Sequence, residues 1–444
     1  MSIKIIHHIF IVSIFLLFFK GNAQEGFLLP EGVEKDKISF QLINNLVVIP
    51  VEVNGVTLAF LLDTGVSSTI MFSLSKVDSL ELNDAEPMLL RGLGKGGNIP
   101  ALKSEKNQLK IGKAIDKNHT IFVVFDESLN LSTRMGIPIH GIIGYDFFKN
   151  LVVKTNHNTR KITIYNPKTF EQKVCKKCEV FDLTFQNNKP YISFNIIQES
   201  IEDEAEVTLL IDSGSSDAIW LFNDAVFNEY PDKKYFEDFL GQGLSGAIFG
   251  KRTKLKKIRL GKYELSKVKV AYPNKESIKN INFFEGRDGS IGGELLTRFS
   301  VLMDYPSKKI FLKKNNNFRN KFHYNMSGLT IKHDGFVVVK NKRDNIKDNY
   351  FENKDATSIS ITTVYDFTLA PKFIVSEIRK NSPADFADIR EGDELVSVNR
   401  KMAHNFKLNE LIGVFSSKVG KKINLRIKRN QIIYRKKIIL KELF

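Results

Sequence analysis

The sequence predicts a mainly β protein, in which two tandem β lobes are followed by a smaller α+β module. Three observations predict this architecture. An internal repeat relates the first part of the chain to the second at an offset of 148 or 149 residues. Both copies consist of short apolar or alternating runs broken by turns, and this pattern changes after Asn315. We therefore divide the chain into lobe 1 (residues 25–170), lobe 2 (171–315) and a C-terminal module (316–444).

The composition is that of a globular protein. Of the 444 residues, 42 % are hydrophobic and 26 % are charged, which provides enough apolar material for packed cores. The net charge of +16 would suit nucleic acid or a membrane surface, but residues 308–444 carry +15 of it. No nucleic-acid motif accompanies this basic segment. We therefore expect no nucleic-acid partner and retain an anionic envelope surface as a candidate.

The first 24 residues have the pattern of a signal peptide. Lys4 precedes an apolar run at residues 9–19, and small residues follow at 21–23. The alternative is a permanent membrane anchor, but the run is much shorter than the roughly 20 residues that a spanning helix needs. The pattern predicts cleavage and export, so that the mature protein is periplasmic or secreted.

The repeat is defined by a motif that occurs once in each lobe. The sequence FLLDTG at residues 60–65 matches LLIDSG at residues 209–214. Later features keep the spacing to within one residue: Gly92, Gly94 and Gly97 match Gly241, Gly243 and Gly246, Gly112 matches Gly261, and GIIG at 141–144 matches GSIG at 289–292. The sequence KITI at residues 161–164 also matches KIFL at 309–312. These five features in register indicate a duplicated fold.

Local patterns in both copies predict strands. In lobe 1, runs at residues 46–53 and 56–62 flank the turn dipeptide Asn54-Gly55. Between the lobes lie the only cysteines, Cys175 and Cys178. In an exported protein this pair predicts a small disulfide loop or two idle thiols rather than a redox or metal site, since two ligands leave zinc half coordinated.

The duplicated motif places one carboxylate in each lobe at the end of a buried strand, where a glycine allows a sharp turn. A single Asp in this position would most simply cap the turn. Because the motif is duplicated, a symmetric arrangement of the lobes would bring Asp63 and Asp212 together. Two carboxylates in contact cannot both ionise cheaply, so they share a proton. Such a pair can act as base and acid in the hydrolysis of an amide.

These motifs resemble those of the aspartic proteases over the length of both lobes. The resemblance implies bilobal acid-protease-like β barrels, two tandem retropepsin-like lobes in a single chain, with catalysis by Asp63 and Asp212. It also implies that Thr64 and Ser213 make hydroxyl contacts between the lobes. The remaining supporting residues that it implies lie in the active turns and in the elements that thread beside them: Gly65, Gly214, Ser215, Ile143, Gly144, Ile291 and Gly292. Pepsin-type enzymes have Ser or Thr directly after the glycine of each motif. Ser215 matches this pattern in the second copy, but Val66 departs from it in the first copy.

Two glycine-rich segments, residues 92–97 and 241–246, match the dinucleotide pattern G-x-G-x-x-G. That function is rejected, because the pattern requires a preceding strand and a following helix, and neither segment precedes a helical pattern. Each segment begins 29 residues after its Asp, where the aspartic proteases have their flap. The prediction is a pair of flap hairpins containing Gly92, Gly94 and Gly97 in lobe 1 and Gly241, Gly243 and Gly246 in lobe 2. The alternative is an ordinary glycine-rich loop.

The C-terminal module resembles the PDZ domains of bacterial exported proteases. The resemblance is carried by SPA at residues 382–384, GDEL at 392–395 and Val398-Asn399. It implies that the module binds a peptide by adding a strand to a sheet edge. The candidate loop for a peptide carboxylate consists of Ser327, Gly328, Leu329 and Thr330. The polar segment at 341–357 predicts an inserted loop, and residues 408–416 predict a helix.

These observations predict an exported aspartic endopeptidase whose PDZ-like domain binds polypeptide substrates or a peptide ligand. No cofactor or metal is expected, since the histidines form no H-E-x-x-H pattern. Symmetric halves in one chain make a monomeric catalytic unit sufficient. Two alternatives stay open: a catalytically inactive peptide-binding scaffold, and an interaction protein held at a membrane surface by its charge.

Overall fold

A computed structural model describes residues 26–72, 80–90, 99–125, 131–172, 175–197, 204–222, 235–243, 246–278, 286–350 and 357–442. The protein is mainly β, which confirms the predicted fold class. The predicted signal peptide lies outside the described residues. None of the helices in the described ranges has the length and apolarity needed to cross a membrane.

Lobe 1 is built almost entirely from strands joined by tight turns. The predicted runs become strands with the expected bounds, and the intervening turn residues Asn54 and Gly55 have φ values of 45° and 90°. A left-handed pair of this kind matches the twist of a hairpin. The elements are β1 (Lys35–Ser39), β2 (Gln41–Ile43), β3 (Leu46–Val53), β4 (Val56–Leu62), β5 (Thr69–Met71), β6 (Ala85–Leu90), β7 (Ile99–Ile111), β8 (Ala114–Val124), α1 (Leu131–Met135), β9 (Gly141–Ile143), α2 (Tyr145–Phe148), β10 (Val152–Asn156) and β11 (Lys161–Tyr165).

Lobe 2 repeats this order of elements. It contains β12 (Cys178–Asp182), β13 (Thr184–Gln186), β14 (Lys189–Ile197), β15 (Glu204–Ile211), β16 (Ile219–Leu221), β17 (Phe236–Gly243), β18 (Gly246–Leu260), β19 (Tyr263–Pro273), α3 (Lys275–Ile278), β20 (Gly289–Ile291), α4 (Gly293–Leu296), β21 (Phe299–Asp304) and β22 (Lys309–Lys314). The eight-stranded sheet of lobe 1 has the order β2-β3-β4-β9-β5-β8-β7-β6 and that of lobe 2 the order β13-β14-β15-β20-β16-β19-β18-β17. Equivalent strands occupy equivalent places, so the sequence repeat is a structural repeat.

A third sheet joins the two lobes. It has the order β1-β11-β10-β21-β22-β12, and its central pairing is the antiparallel contact of β10 with β21. One continuous hydrophobic core includes Phe60 and Phe147 from lobe 1 and Phe299 and Met303 from lobe 2. The lobes therefore form a single unit, in which the ends of β4 and β15 are held in a fixed relative position.

The C-terminal module has its own core. Its elements are β23 (Leu329–Tyr350), β24 (Thr357–Ile378), α5 (Pro383–Phe386), β25 (Glu394–Val398), β26 (Lys401–Met402), a 3-10 helix (Ala403–Asn405), α6 (Leu408–Phe415), β27 (Lys422–Arg429) and β28 (Ile432–Ile439). Leu411 and Phe415 of α6 belong to one buried hydrophobic cluster with Val375 of β24 and Ile423 of β27. The predicted helix and terminal hairpin are both present, the latter turning at Asn430 and Gln431.

The predicted inserted loop at 341–357 is wrong for most of its length. Residues 341–350 belong to β23 and pair in antiparallel register with residues 357–366 of β24, so that this segment is a long β-hairpin. A polar composition predicts a loop when the segment is considered without its partner strand. Ladder hydrogen bonds join backbone groups, so polar strands with a partner can form them as apolar strands do.

The two cysteines form a disulfide, Cys175–Cys178, immediately before β12. This agrees with the first of the two states predicted for the pair. Within the described residues there is also no group of three or more His, Cys, Asp or Glu side chains that could hold a metal ion.

Candidate active site

Asp63 and Asp212 follow the last residues of β4 and β15, two equivalent strands at the junction of the lobes. The backbone amide of Asp63 donates to the carbonyl of Ile143 at 2.9 Å, and that of Asp212 donates to the carbonyl of Ile291 at 2.9 Å. Strands β9 and β20, which contain these isoleucines, therefore lie beside the two turns. This is the arrangement that the resemblance implies for them.

The two carboxylates are in contact. Asp63 and Asp212 share a side-chain hydrogen bond, and Asp63 Oδ1 also accepts from the backbone amide of Gly65 at 2.7 Å. A Cβ atom added to Gly65 would lie 3.0 Å from an oxygen of each carboxylate, so both side chains converge on this turn. The amide of Gly214 likewise donates to Asp63 across the junction. The structure thus forms one dyad from two motifs 149 residues apart.

Glycine is required at three points in these turns and the segments beside them, because other atoms come too close for a side chain. A Cβ atom on Gly214 would lie 2.1 Å from Asp63 Oδ2, and one on Gly144 would lie 2.2 Å from the carbonyl oxygen of Asp63. Real Cβ atoms do not approach other atoms so closely. Gly292, the lobe 2 counterpart of Gly144, approaches the carbonyl of Asp217 in the same way, at 2.2 Å.

Hydroxyl groups lock the two turns together. Thr64 Oγ1 donates to the carbonyl of Ile211 at 2.6 Å and accepts from the amide of Ser213 at 3.1 Å. Ser213 Oγ makes the reciprocal contacts, donating to the carbonyl of Leu62 at 2.8 Å and accepting from the amide of Thr64 at 3.0 Å. Four hydrogen bonds thereby tie the two turns together across the junction of the lobes, as the resemblance implies.

Burial and mutual contact shape the electrostatics of the dyad. Desolvation raises the pKa of Asp63, and the neighbouring charge of Asp212 raises it further. Burial also raises the pKa of Asp212, although the charges of Arg287 and Lys189 oppose this. Both effects favour a state in which the pair retains one proton at pH values above the ordinary pKa of a carboxyl group.

Val66 and Ser215 occupy equivalent positions after the two glycines. The backbone amide of Ser215 donates to the backbone carbonyl of Asp212 at 3.2 Å, and that of Val66 donates to the backbone carbonyl of Asp63 at 3.4 Å, so the two turns have the same main-chain hydrogen bond. Val66 lacks a hydroxyl, but Asp63 has its own amide donors in Gly65 and Gly214. The departure at Val66 therefore leaves Asp63 with hydrogen-bond donors.

Comparison with known proteins agrees with this geometry. Residues 49–147 match the family model of aspartyl proteases, and residues 374–429 match that of PDZ domains. The chain contains an aspartyl protease domain and a PDZ domain. The residues matched to the protease family include Asp63 but not Asp212. Asp212 occupies the equivalent place in lobe 2, whose sheet has the same strand order.

No curated protein matches the chain. Among solved structures, an aspartic proteinase from Irpex lacteus is 14 % identical and aligns over 64 % of this chain and 99 % of its own, with a TM-score of 0.44.

The predicted flap glycines fall partly within the described residues. Gly241 and Gly243 end β17 and Gly246 begins β18, so the lobe 2 segment is the tip of a β-hairpin, in which Gly243 pairs with Gly246. Gly241 and Gly243 line the cavity that contains the dyad. In lobe 1 the equivalent strands β6 and β7 also pair, but Gly92, Gly94 and Gly97 lie outside the described residues. The role of either hairpin as a lid stays a prediction.

A cavity of about 880 Å³ contains the dyad and extends to the PDZ domain. Both lobes line it, and so do Leu329 and Ile331 of β23 and Ile412 of α6. Strand β23 is an edge strand of its sheet. An ion pair between Arg134 of α1 and Glu377 of β24, with 3.2 Å between Nη2 and Oε1, connects lobe 1 with the PDZ domain. The protease cleft and the groove between β23 and α6 are therefore continuous.

The candidate carboxylate loop lies at the start of β23, beside this cavity. Three of its amides already have acceptors: those of Ser327 and Gly328 donate to Asn325 Oδ1 at 3.0 and 3.2 Å, and that of Leu329 donates to Ser327 Oγ at 3.0 Å. Thr330 lines the cavity with its neighbours. A ligand carboxylate would have to displace Asn325 Oδ1 and Ser327 Oγ to reach all three amides, so binding of a chain end at this loop stays a prediction.

Sequence reasoning missed several side chains that line the cavity. Lys189 and Arg287 lie close enough to the dyad for their charges to act on Asp212. An ion-pair cluster of buried Asp217 and Arg252 with half-buried Asp238 lines the same cavity in lobe 2. Lys189 could have been found from the repeat, because it follows Asn187-Asn188 just as Leu46 follows Asn44-Asn45. The ion-pair cluster has no such local pattern.

Replacing Thr64 with Val tests the hydroxyl lock. Val fills the same space but leaves the carbonyl of Ile211 and the amide of Ser213 without their partner. We expect the free energy of unfolding to fall by about 1–3 kcal/mol, measured by chemical denaturation. Thr163→Val in β11 is the matched control, since Thr163 is also a buried residue but its hydroxyl makes no hydrogen bond among the described residues. Equal losses in the two variants would contradict the lock.

Proposed function

We propose that this protein is an exported aspartic endopeptidase that hydrolyses peptide bonds through a water molecule activated by Asp63 and Asp212. The observation that carries the proposal is the contact between the two carboxylates at the floor of a cleft formed by both lobes. Paired carboxylates with raised pKa values are the groups that this chemistry needs. The match of residues 49–147 to aspartyl proteases supports the same reaction class.

The chemistry follows from the shared proton. The ionised carboxylate takes a proton from a water molecule held between the two side chains, and the water oxygen attacks the scissile carbonyl. The protonated partner donates to the carbonyl oxygen as negative charge develops there. The resulting tetrahedral intermediate collapses when the amine leaves with a proton from the dyad. The amides of Gly65 and Gly214 keep the oxygens of Asp63 aligned through these steps.

The shape of the cleft supports cleavage within a polypeptide. The cavity is lined by both lobes around the dyad, which leaves room for substrate residues on either side of the scissile bond. Its continuation along β23 and α6 supports a role for the PDZ domain in positioning the polypeptide, because an edge strand can pair with an extended segment. A single chain supplies both carboxylates, so we propose a monomeric catalytic unit.

Export is part of the proposal. The pattern of residues 1–24 supports it, and so does the Cys175–Cys178 disulfide, because disulfides persist in oxidising compartments. The charge of +15 on residues 308–444 supports a location near an anionic envelope surface.

The proposal is tested by incubating the purified full chain with an unfolded protein mixture and analysing the peptides released. We expect internal cleavage that a statine-type transition-state mimic inhibits, because such a compound places a hydroxyl between two carboxylates. Binding of peptides with no turnover at any pH between 3 and 8 would instead support the inactive scaffold.

A further inference from the structure

The two halves of the cleft are related by the repeat but differ in charge. Leu46 and Lys189 each close a two-residue Asn-Asn hairpin, pairing with Ile43 and Gln186 respectively. Ile139 lies two residues before Gly141, the first residue of β9. Arg287 lies two residues before Gly289, the first residue of β20. All four side chains line the same cavity: Leu46, Ile139, Lys189 and Arg287. We call Leu46 and Ile139 the apolar subsite, and Lys189 and Arg287 the cationic subsite.

The cationic subsite is held in place next to the dyad. Arg287 Nε donates to the carbonyl of Gly289 at 3.1 Å, and its guanidinium lies 4.9 Å from the ring centre of Phe222. Lys189 lies at the first residue of β14, half-buried in the cleft wall. Among the residues that the structure describes, no carboxylate forms a salt bridge with Lys189. Burial lowers the pKa of Lys189, and the like charge of Arg287 lowers it further.

The charge balance of this site leaves a place for an anion. A dyad that retains one proton carries a single negative charge, whereas Lys189 and Arg287 together carry two positive charges. Two cations in a partly buried cleft repel each other unless a negative group lies between them. The apolar subsite presents no charged group at the equivalent positions, so an anion would favour one side of the dyad only.

We propose that the cationic subsite binds a carboxylate of the substrate next to the scissile bond, while the apolar subsite binds a hydrophobic side chain on the other side. The proposal rests on the proposed function and adds its substrate class: peptides cleaved between an acidic and an apolar residue. The carboxylate belongs either to a Glu or Asp side chain or to the free end of the chain. A merely electrostatic role, in which the two cations only keep Asp212 ionisable, would give no preference for acidic substrates.

The test compares matched peptides in which the residue on one side of the scissile bond is Glu, Gln or Leu, with the C-terminus amidated. A charge-assisted hydrogen bond is worth about a ten- to hundredfold change in affinity or rate. We therefore expect kcat/KM for the Glu peptide to exceed that for the Gln peptide by this factor, on one side of the bond only. Lys189→Met should reduce the ratio by about tenfold or more, whereas Lys189→Arg should retain most of it.

Two controls separate this proposal from a general effect on the dyad. Lys313→Met removes the same charge from an exposed position of β22 and should leave the ratio unchanged. The ratio is measured at several pH values, because a change in the dyad pKa alters both substrates together. Equal rates for the Glu and Gln peptides, or an unchanged ratio in Lys189→Met, would overturn the proposal.

A binding measurement keeps the proposal testable if no peptide is cleaved. Calorimetry with the full chain should find that the Glu peptide binds about ten times more tightly than the Gln peptide, and that Lys189→Met removes the difference. That result without turnover would contradict the proposed function and support the subsite. Peptides with a free C-terminal carboxylate in place of Glu form a second arm: a preference for them that depends on Lys189 supports the carboxylate site and identifies chain ends as its ligand. Equal binding of all peptides would overturn the site.

Discussion

Replacing either Asp63 or Asp212 with Asn is expected to lower kcat for peptide hydrolysis by about a thousandfold or more. Asn has nearly the shape of Asp, but it can neither accept the proton of the attacking water nor donate one to the leaving amine. The two side chains act as a unit, so the double variant should be no worse than either single variant. Steady-state rates with a fluorogenic peptide give the measurement.

The matched control is Asp182→Asn, which removes an exposed carboxylate paired with Lys309. Its activity should equal that of the parent. Circular dichroism should also find both dyad variants folded, because the hydroxyl lock of Thr64 and Ser213 does not involve the carboxylates. Parental activity in Asp63→Asn would contradict the assignment of the dyad.

The same substitution should stabilise the protein at neutral pH. An unfolded Asp loses its proton near pH 4, whereas burial keeps the pKa of Asp63 higher in the folded state. The folded protein therefore binds more protons above about pH 4, and its stability falls as the pH rises from there towards the folded pKa. Asn does not titrate. Asp63→Asn should be nearly neutral at pH 3.5 and more stable than the parent by about 1–3 kcal/mol at pH 7.

The dyad was predictable because its determinants are local and duplicated. Each Asp follows three apolar residues and precedes a glycine, and each motif ends a strand whose bounds were also local. The repeat then implied symmetry, and symmetry implied contact. The same reasoning predicted the C-terminal helix and hairpin, where apolar spacing and a turn residue determine the element.

Features that depend on which distant segments meet were not predictable. The polar segment at 341–350 forms a strand because residues 357–366 pair with it, and neither segment alone indicates this. The repeat indicates the place of Lys189, but not its neighbour Arg287, because the two residues come together only when the β13–β14 turn and the segment before β20 meet at the cleft. The position of a charged residue in the sequence does not indicate which residues will surround it in the fold. The ion-pair cluster around Arg252 is a further case.

Replacing Arg252 with Met is expected to lower the free energy of unfolding by about 3–5 kcal/mol. Arg252 is buried and forms ion pairs with Asp217 at 2.7 Å and with Asp238 at 2.9 Å. Asp217 also accepts from the indole nitrogen of Trp220 at 2.7 Å. Burial would raise the pKa of Asp217, but the charge of Arg252 and its hydrogen bond hold it below the ordinary value. Without Arg252, the buried carboxylate of Asp217 and the half-buried carboxylate of Asp238 face each other with no cation between them.

The matched control is Arg259→Met, which changes the same residue type on the same strand, β18. Arg259 pairs with Glu204 and Glu264, but its side chain is 40 % exposed, so its loss should cost less than about 1 kcal/mol. Chemical denaturation at pH 7 and pH 4 distinguishes the mechanisms. If orphaned carboxylates cause the loss in Arg252→Met, they take up protons at low pH, and the difference from the parent becomes smaller at pH 4. A loss that is equal at both pH values would indicate a packing defect instead, and Asp217→Asn with Asp238→Asn would then fail to restore stability to the Arg252→Met protein.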